Sequence, residues 1–389
     1  MPRSPFHRPL TGLVVALALA FTASPASATE PPEPTDPSEP PAPVVIASTE
    51  QPGIDGTPRF REKVRADPGA WHPEDVALGY QWYLDGEPVE DATRRGYRPG
   101  RSDIGGRLAV EVTATRDGSA PATALSESVR VRKGILENVE RPTLRGVLRF
   151  GRTLTAGPGE WSHRPDRVRY QWLRSGTPLR GATGRRHHLG LSDFDKRMQV
   201  RVTVRKAGYR QAVATSRRTV RVMHRVPVRH TVTYSVQTRG AISTSVEVFK
   251  QQTQATFDDP RGWRGSGVAF RRVATGGAFR LVLSEASQVP SFSSGCSSEW
   301  SCRVGNYVVI NQTRWKHASP MWNQRGRSLR DYRHMVVNHE TGHWLGHGHR
   351  YCSGSGALAP VMMQQSKGLS GCVPNPWPTA AERRTPRFG

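Results

Sequence analysis

Cysteine is scarce and confined to one end of the chain: there are four in 389 residues, and none precedes Cys296. The first 295 residues must therefore fold without disulfides, and no upstream thiol is available to mask a metal site later in the chain. Long apolar runs are equally scarce. The most apolar stretch, residues 13–21, is shorter than the roughly 20 residues that cross a bilayer, so no transmembrane anchor is expected. Acidic residues are outnumbered, 32 against 56 Lys and Arg, for a formal charge of +24 and a pI near 11.0. Such a balance raises the question of nucleic-acid binding. No helix-turn-helix, zinc-finger or RNA-binding signature accompanies the arginines, however, and they are spread through the chain. Anionic polymers of a cell envelope are the partner this charge suggests.

What is present begins with an export signal. Arg3, His7 and Arg8 precede the apolar run, and Ala26-Ser27-Ala28 is a small-residue cleavage site, so residues 1–28 read as a signal peptide and the mature protein as secreted. Residues 29–43, with prolines at 31, 32, 34, 37, 40, 41 and 43 and only acidic charges, read as an extended linker.

An internal repeat follows. Pro68-Gly69-Ala70-Trp71 recurs as Pro158-Gly159-Glu160-Trp161, Tyr80-Gln81-Trp82 as Tyr170-Gln171-Trp172, and Val112-Thr113 as Val202-Thr203, at a constant offset. Leu108, Val110, Val112 and Ala114 alternate with polar residues, as do Met198, Val200, Val202 and Val204. This is the period of strands with one buried face. Two small β-sandwiches are expected, over 44–133 and 134–224, each built around a tryptophan. The pattern resembles the immunoglobulin-like repeats found in tandem in bacterial surface and secreted proteins, which implies spacers or modules that bind an envelope component.

From about Val226 the composition changes. Residues 230–238, 267–273, 279–285 and 307–311 read as strands and 242–255 as a helix; Gly305-Asn306 is a hairpin turn between a short strand at 301–304 and the next. Then comes His339-Glu340-Thr341-Gly342-His343-Trp344-Leu345-Gly346-His347-Gly348-His349, which fits H-E-x-x-H-x-x-G-x-x-H at every fixed position. Histidines four apart share one helical face, and Gly346 can end the helix so that His349 swings back. The result is a zinc site with His339, His343 and His349 as ligands and one position open. Glu340 is then the carboxylate placed to take a proton from water. His347 competes with His349 as third ligand. Ser328 with Asp331 three residues later is a capping-box signature at the start of the helix, and His334, opposite His343 on it, reads as a surface residue.

Residues 328–372 resemble the active-site region of metzincin zinc endopeptidases, and the wording N-H-E-T-G-H-W-L-G-H-G-H followed by A-P-V-M-M-Q-Q is similar to a secreted actinobacterial metzincin-like family. The likeness implies an α+β peptidase domain over 226–378 that hydrolyses a peptide or protein substrate with Zn2+, and a Met-turn at Met362 or Met363. Arg350 after the third histidine, and the lack of a tyrosine after the methionines, depart from several metzincin groups and leave subfamily and substrate open. The rival reading is an envelope-binding protein whose repeats carry the function and whose metal site is structural or idle.

Three pairings of the four cysteines are possible. Cys296 with Cys302 and Cys352 with Cys372 are favoured over a second metal site. Residues 379–389, rich in Pro and Arg, read as a flexible tail, and the whole as a monomer.

Overall fold

The computed structural model describes residues 44–388. The expected export signal and linker lie outside them.

In the first repeat, alternating side chains form β1 (Ala77–Leu84) and β2 (Arg107–Thr115); in the second they form β3 (Arg167–Arg174) and β4 (Met198–Arg205). Each pair is antiparallel and the registers match across the repeat, Trp82 lying opposite Val110 and Trp172 opposite Val200. A second sheet faces each pair, putting Val64 and Ala66 against Trp82, and Leu154 and Ala156 against Trp172. Both indoles are fully buried, and their N–H groups donate to the carbonyls of Arg94 (2.9 Å) and Gly184 (2.8 Å). Burying roughly 200 Å² of indole at about 25 cal/mol per Å² contributes about 5 kcal/mol before entropy. A disulfide typically supplies about 2–4 kcal/mol. A tryptophan-centred core can therefore stand in for the missing bridge. The two sandwiches are also tied to each other. Phe60 of the first packs edge-on against Tyr209 of the second at 5.3 Å, and so close to Gly208 that a Cβ there would collide with the Phe60 ring.

The third domain is mixed. Its elements are β5 (His230–Arg239), α1 (Val246–Asp258), β6 (Val268–Arg272), β7 (Phe279–Ser284), β8 (Cys302–Val304), β9 (Tyr307–Asn311), α2 (Gln312–His317), α3 (Pro320–Gln324) and α4 (Leu329–Trp344). The sheet order is β6-β5-β7-β9-β8, with every pairing parallel except the edge hairpin β8-β9. Parallel strands must be covered on both faces. On one side α1 and α4 pack Phe249, Phe257, Tyr332, Met335 and Val337 against Tyr234, Phe279, Leu281 and Val308. On the other, Val282 and Val309 are covered by Val289 and the Cys296–Cys302 disulfide.

Three expectations need correction. Helix α1 begins at Val246 rather than 242, because Ser245 caps it and the preceding loop is held by Glu285 and Gln312, which accept from the amides of Ala241 (2.7 Å) and Ser243 (2.6 Å). His334 is not on the surface: it is buried, 2.8 Å from Thr256 Oγ1 and packed on Trp377 at 4.8 Å, because α4 is covered on the face away from His343 as well. Finally, residues 379–388 are docked. Glu382 is completely buried, and Phe388 stacks on His230 at 4.5 Å.

Candidate metal centre

Helix α4 carries the first two histidines into the domain. Ser328 Oγ accepts the Asp331 amide at 3.0 Å, fixing the first turn, and Met335, Val336 and Val337 lock the helix into the core. Its end is a Schellman motif: the amide of His347 donates to Gly342 O (3.0 Å) and that of Gly346 to His343 O (3.1 Å), with Gly346 at φ +96°. Only a residue without a Cβ takes that φ freely, and the turn reverses the chain toward His349.

The three ring nitrogens converge. His343 Nε2 lies 3.2 Å from His339 Nε2 and 3.1 Å from His349 Nε2. Two nitrogens bound to tetrahedral zinc at about 2.05 Å stand about 3.3 Å apart, so the cluster has the dimensions of such a site. Two of the rings are also fixed in tautomer. His339 Nδ1 lies 2.8 Å from Val361 O and His343 Nδ1 2.9 Å from His347 O. A carbonyl can only accept, so each Nδ1 carries the proton and each Nε2 presents a lone pair to the centre. Burial and the neighbouring histidines push His339 down to about 3, and burial lowers His343 and His349 as well. The rings are therefore neutral at pH 7, as ligation requires. His347 is not in the cluster. It stacks on Trp263 at 4.9 Å and donates from Nε2 to Arg384 O at 2.7 Å.

Glu340 lines the same cleft, about 570 Å³ in volume, with the three histidines. Its carboxylate makes no hydrogen bond among the described residues, and burial pushes it up to about 8, against the opposing pull of Arg303. A cation in the cluster would draw it back toward the ionised form. Arg303, on edge strand β8, forms one wall and donates to His343 O at 2.7 Å. Lys367, Trp300 and Gln364 line the cleft as well.

The two methionines separate. Met362 is fully buried in the main core, where a Cβ on Gly342 of α4 would collide with its Sδ and lie 2.9 Å from Trp263. Met363 packs with Ala359, Leu369 and the Cys352–Cys372 disulfide, and borders the cleft. Met362 is thus the one packed beneath α4. Arg303, Lys367 and Glu382 went unnoticed in the sequence. Only Glu382 left a readable trace, the capping-box spacing Thr379-Ala380-Ala381-Glu382.

Residues 206–377 match the model of a family described as "Protein of unknown function (DUF3152)". The match takes in every residue of the histidine cluster and both disulfides, and less than half of the chain. No curated protein matches. Among solved structures the chain is similar to three N-terminal domains of the Highly Immunogenic Outer Capsid protein of bacteriophage RB49, with 15% identity, 51% of this chain, 65% of that chain and a TM-score of 0.23. It is also similar to tandem Ig repeats of Drosophila Dlar (12%, 45% and 95%, 0.14) and to a Ca2+-stabilised ice-binding adhesin of an Antarctic bacterium (11%, 48% and 52%, 0.21). The chain spans less than two thirds of the length of the phage and adhesin chains. Similarity at this level assigns no activity.

Proposed function

We propose that the third domain is a metzincin-type zinc peptidase, exported together with two immunoglobulin-like domains that space it from, or direct it to, a cell envelope. The observation that carries this reading is the convergence of three Nε2 lone pairs, two of them fixed by carbonyls, on a cleft that also holds an unpaired carboxylate. His339, His343 and His349 would hold the metal, and no fourth protein ligand stands in the cluster among the described residues. Zinc bound there would act as a Lewis acid toward a carbonyl and toward water.

The rest falls to the chain's own groups. Glu340 accepts a proton from water at a carboxylate oxygen and returns it to the leaving amine. Its lack of hydrogen-bond partners leaves both oxygens free for this. Edge strand β8 borders the cleft and can pair with an extended peptide through main-chain bonds, and Arg303 fixes that strand to the ligand helix through His343 O. Two disulfides agree with folding in an oxidising compartment, and no helix among the described residues is long and apolar enough to cross a membrane.

The test compares wild type with Glu340→Gln on a peptide library. Both should hold about one zinc per chain, and the variant should lose nearly all hydrolysis. Equal cleavage by the two would sink the mechanism.

A second reading, envelope binding by the repeats, is favoured by a pocket at their junction lined by Arg61, Arg98, Arg101 and Lys206, with Asp166 as the lone carboxylate. Loss of binding to isolated envelopes after replacing the three arginines with serine would support it.

A further inference from the structure

We propose that the C-terminal segment, residues 379–388, is a strap that positions the metal ligands, and that Glu382 is its positioning residue. This rests on the zinc-site reading above and concerns residues that lie beyond the family match.

Glu382 is completely buried and makes no ion pair among the described residues, yet both of its oxygens are hydrogen-bonded. Oε2 accepts from the Val361 amide (3.0 Å), the Thr379 amide (2.8 Å) and Thr379 Oγ1 (2.8 Å), and Oε1 accepts from the Met362 amide (2.9 Å). A buried carboxylate is a costly way to anchor a chain end, and Phe388 already anchors this one through apolar contact.

What the carboxylate grips explains its presence. The C=O of Val361 and the N–H of Met362 belong to one planar peptide unit. The C=O accepts His339 Nδ1 at 2.8 Å and the N–H donates to Glu382 at 2.9 Å. Glu382 thereby sets the rotation of the peptide that sets the His339 ring. The strap reaches the second ligand too. His347, whose carbonyl accepts His343 Nδ1, is itself held by Arg384 O. Arg387 then closes the end of α4, donating from its amide to Leu345 O (2.9 Å) and from Nε to Trp344 O (2.6 Å). Both carbonyls that orient the ligand rings are fixed by the same short segment.

The experiment is competition for zinc between the full-length protein and a chromophoric chelator, with the visible spectrum of the cobalt-substituted protein as a second readout. Glu382→Gln places an amide NH2 against backbone donors. It should weaken zinc binding about 10- to 100-fold and alter the cobalt spectrum. Glu382→Asp should recover part of the loss, and covers the case in which the glutamine variant does not fold. Phe388→Ala should lower the melting temperature with zinc affinity unchanged, which separates positioning from anchoring. Wild-type affinity and spectrum in a folded Glu382→Gln variant would overturn the proposal, as would wild-type affinity and spectrum in Glu382→Asp where the glutamine variant does not fold. So would equal losses of affinity in Glu382→Asp and Phe388→Ala. Wild-type protein that binds zinc tightly but cleaves nothing would refute the peptidase reading alone; wild type that binds no zinc would overturn both.

Discussion

His343 Nδ1 donates to the carbonyl oxygen of His347 at 2.9 Å, so the histidine that competes in sequence for the third ligand position instead orients His343, the second proposed ligand, through its backbone. The two candidates part at Gly346. Past that turn, His349 comes back to the cluster and His347 points to Trp263.

His349→Ala should therefore lower zinc affinity by at least 100-fold, because two ring nitrogens remain where three converged. His347→Ala keeps the carbonyl that His343 needs and should cost no more than about tenfold, within the range of outer-shell changes. Metal analysis after dialysis against a weak chelator distinguishes them. A greater loss in the His347 variant would show that the turn at Gly346 is wrongly placed.

The disulfides differ in what they enclose. Cys352 and Cys372 are 20 apart and bracket Met362 and Met363, whereas Cys296 and Cys302 are 6 apart. Loop-closure entropy gives about 3 kcal/mol for the longer loop and about 2 kcal/mol for the shorter. Replacing the 352–372 pair with alanine should cost more in chemical denaturation. It should also reduce zinc affinity, since Arg350 is tied to Met362 O beside that loop. Replacing the 296–302 pair should leave the metal in place. If the shorter pair proves the more costly, the segment carrying Met362 and Met363 is not braced in this way.

The junction between the second sandwich and the third domain carries a pH-sensitive group. His224 packs on Phe194 at 4.5 Å, and burial together with nearby Arg264 pushes it down to about 4 from 6.5. Below pH 6.5 the unfolded chain takes up a proton that the folded chain refuses, so stability is lost as pH falls from about 6.5 toward 4. Denaturation midpoints at pH 7.5 and 5 should diverge less in His224→Gln than in wild type. Parallel midpoints would mean that His224 is solvated.

The sequence was most legible where the signal is local. The repeat showed itself through Trp82 and Trp172 at equal spacing, and the ligand helix through five fixed positions together with Ser328 and Asp331. What stayed hidden acts across distance and through backbone. Glu382 binds amides about 20 residues upstream, and Arg303 binds a carbonyl 40 residues away; neither contact leaves a periodicity. The helical wheel shows which way His334 faces but not what covers it. The tail hides its role for the same reason: its Pro and Arg content reads as solvated, yet Arg387 lies over Trp344 at 4.1 Å and serves the helix end.

On the proposed peptidase function, the charge of the cleft predicts which substrates it would take. Arg303 and Lys367 line it, while Glu340, the only carboxylate lining it among the described residues, is buried beside the three histidines. Arg303 is already committed to His343 O, whereas Lys367 is exposed and has no carboxylate within ion-pair distance among the described residues. On that reading a peptide with Asp or Glu near the scissile bond should be preferred, paired with Lys367, whose ammonium lies over the Trp300 ring at 6.0 Å. Unit charges about 8 Å apart at an effective dielectric near 20 interact by about 2 kcal/mol before salt screening, enough for a tenfold preference. Lys367→Glu should lower kcat/KM on acidic peptides about tenfold, raise it on basic ones, and leave zinc content unchanged. The difference should shrink in 1 M salt, where the screening length is about 3 Å. If the variant cleaves acidic and basic peptides in the wild-type ratio at low salt, Lys367 does not set the preference, and recognition must come instead from the apolar wall at Trp300 and Met363 or from main-chain pairing along β8.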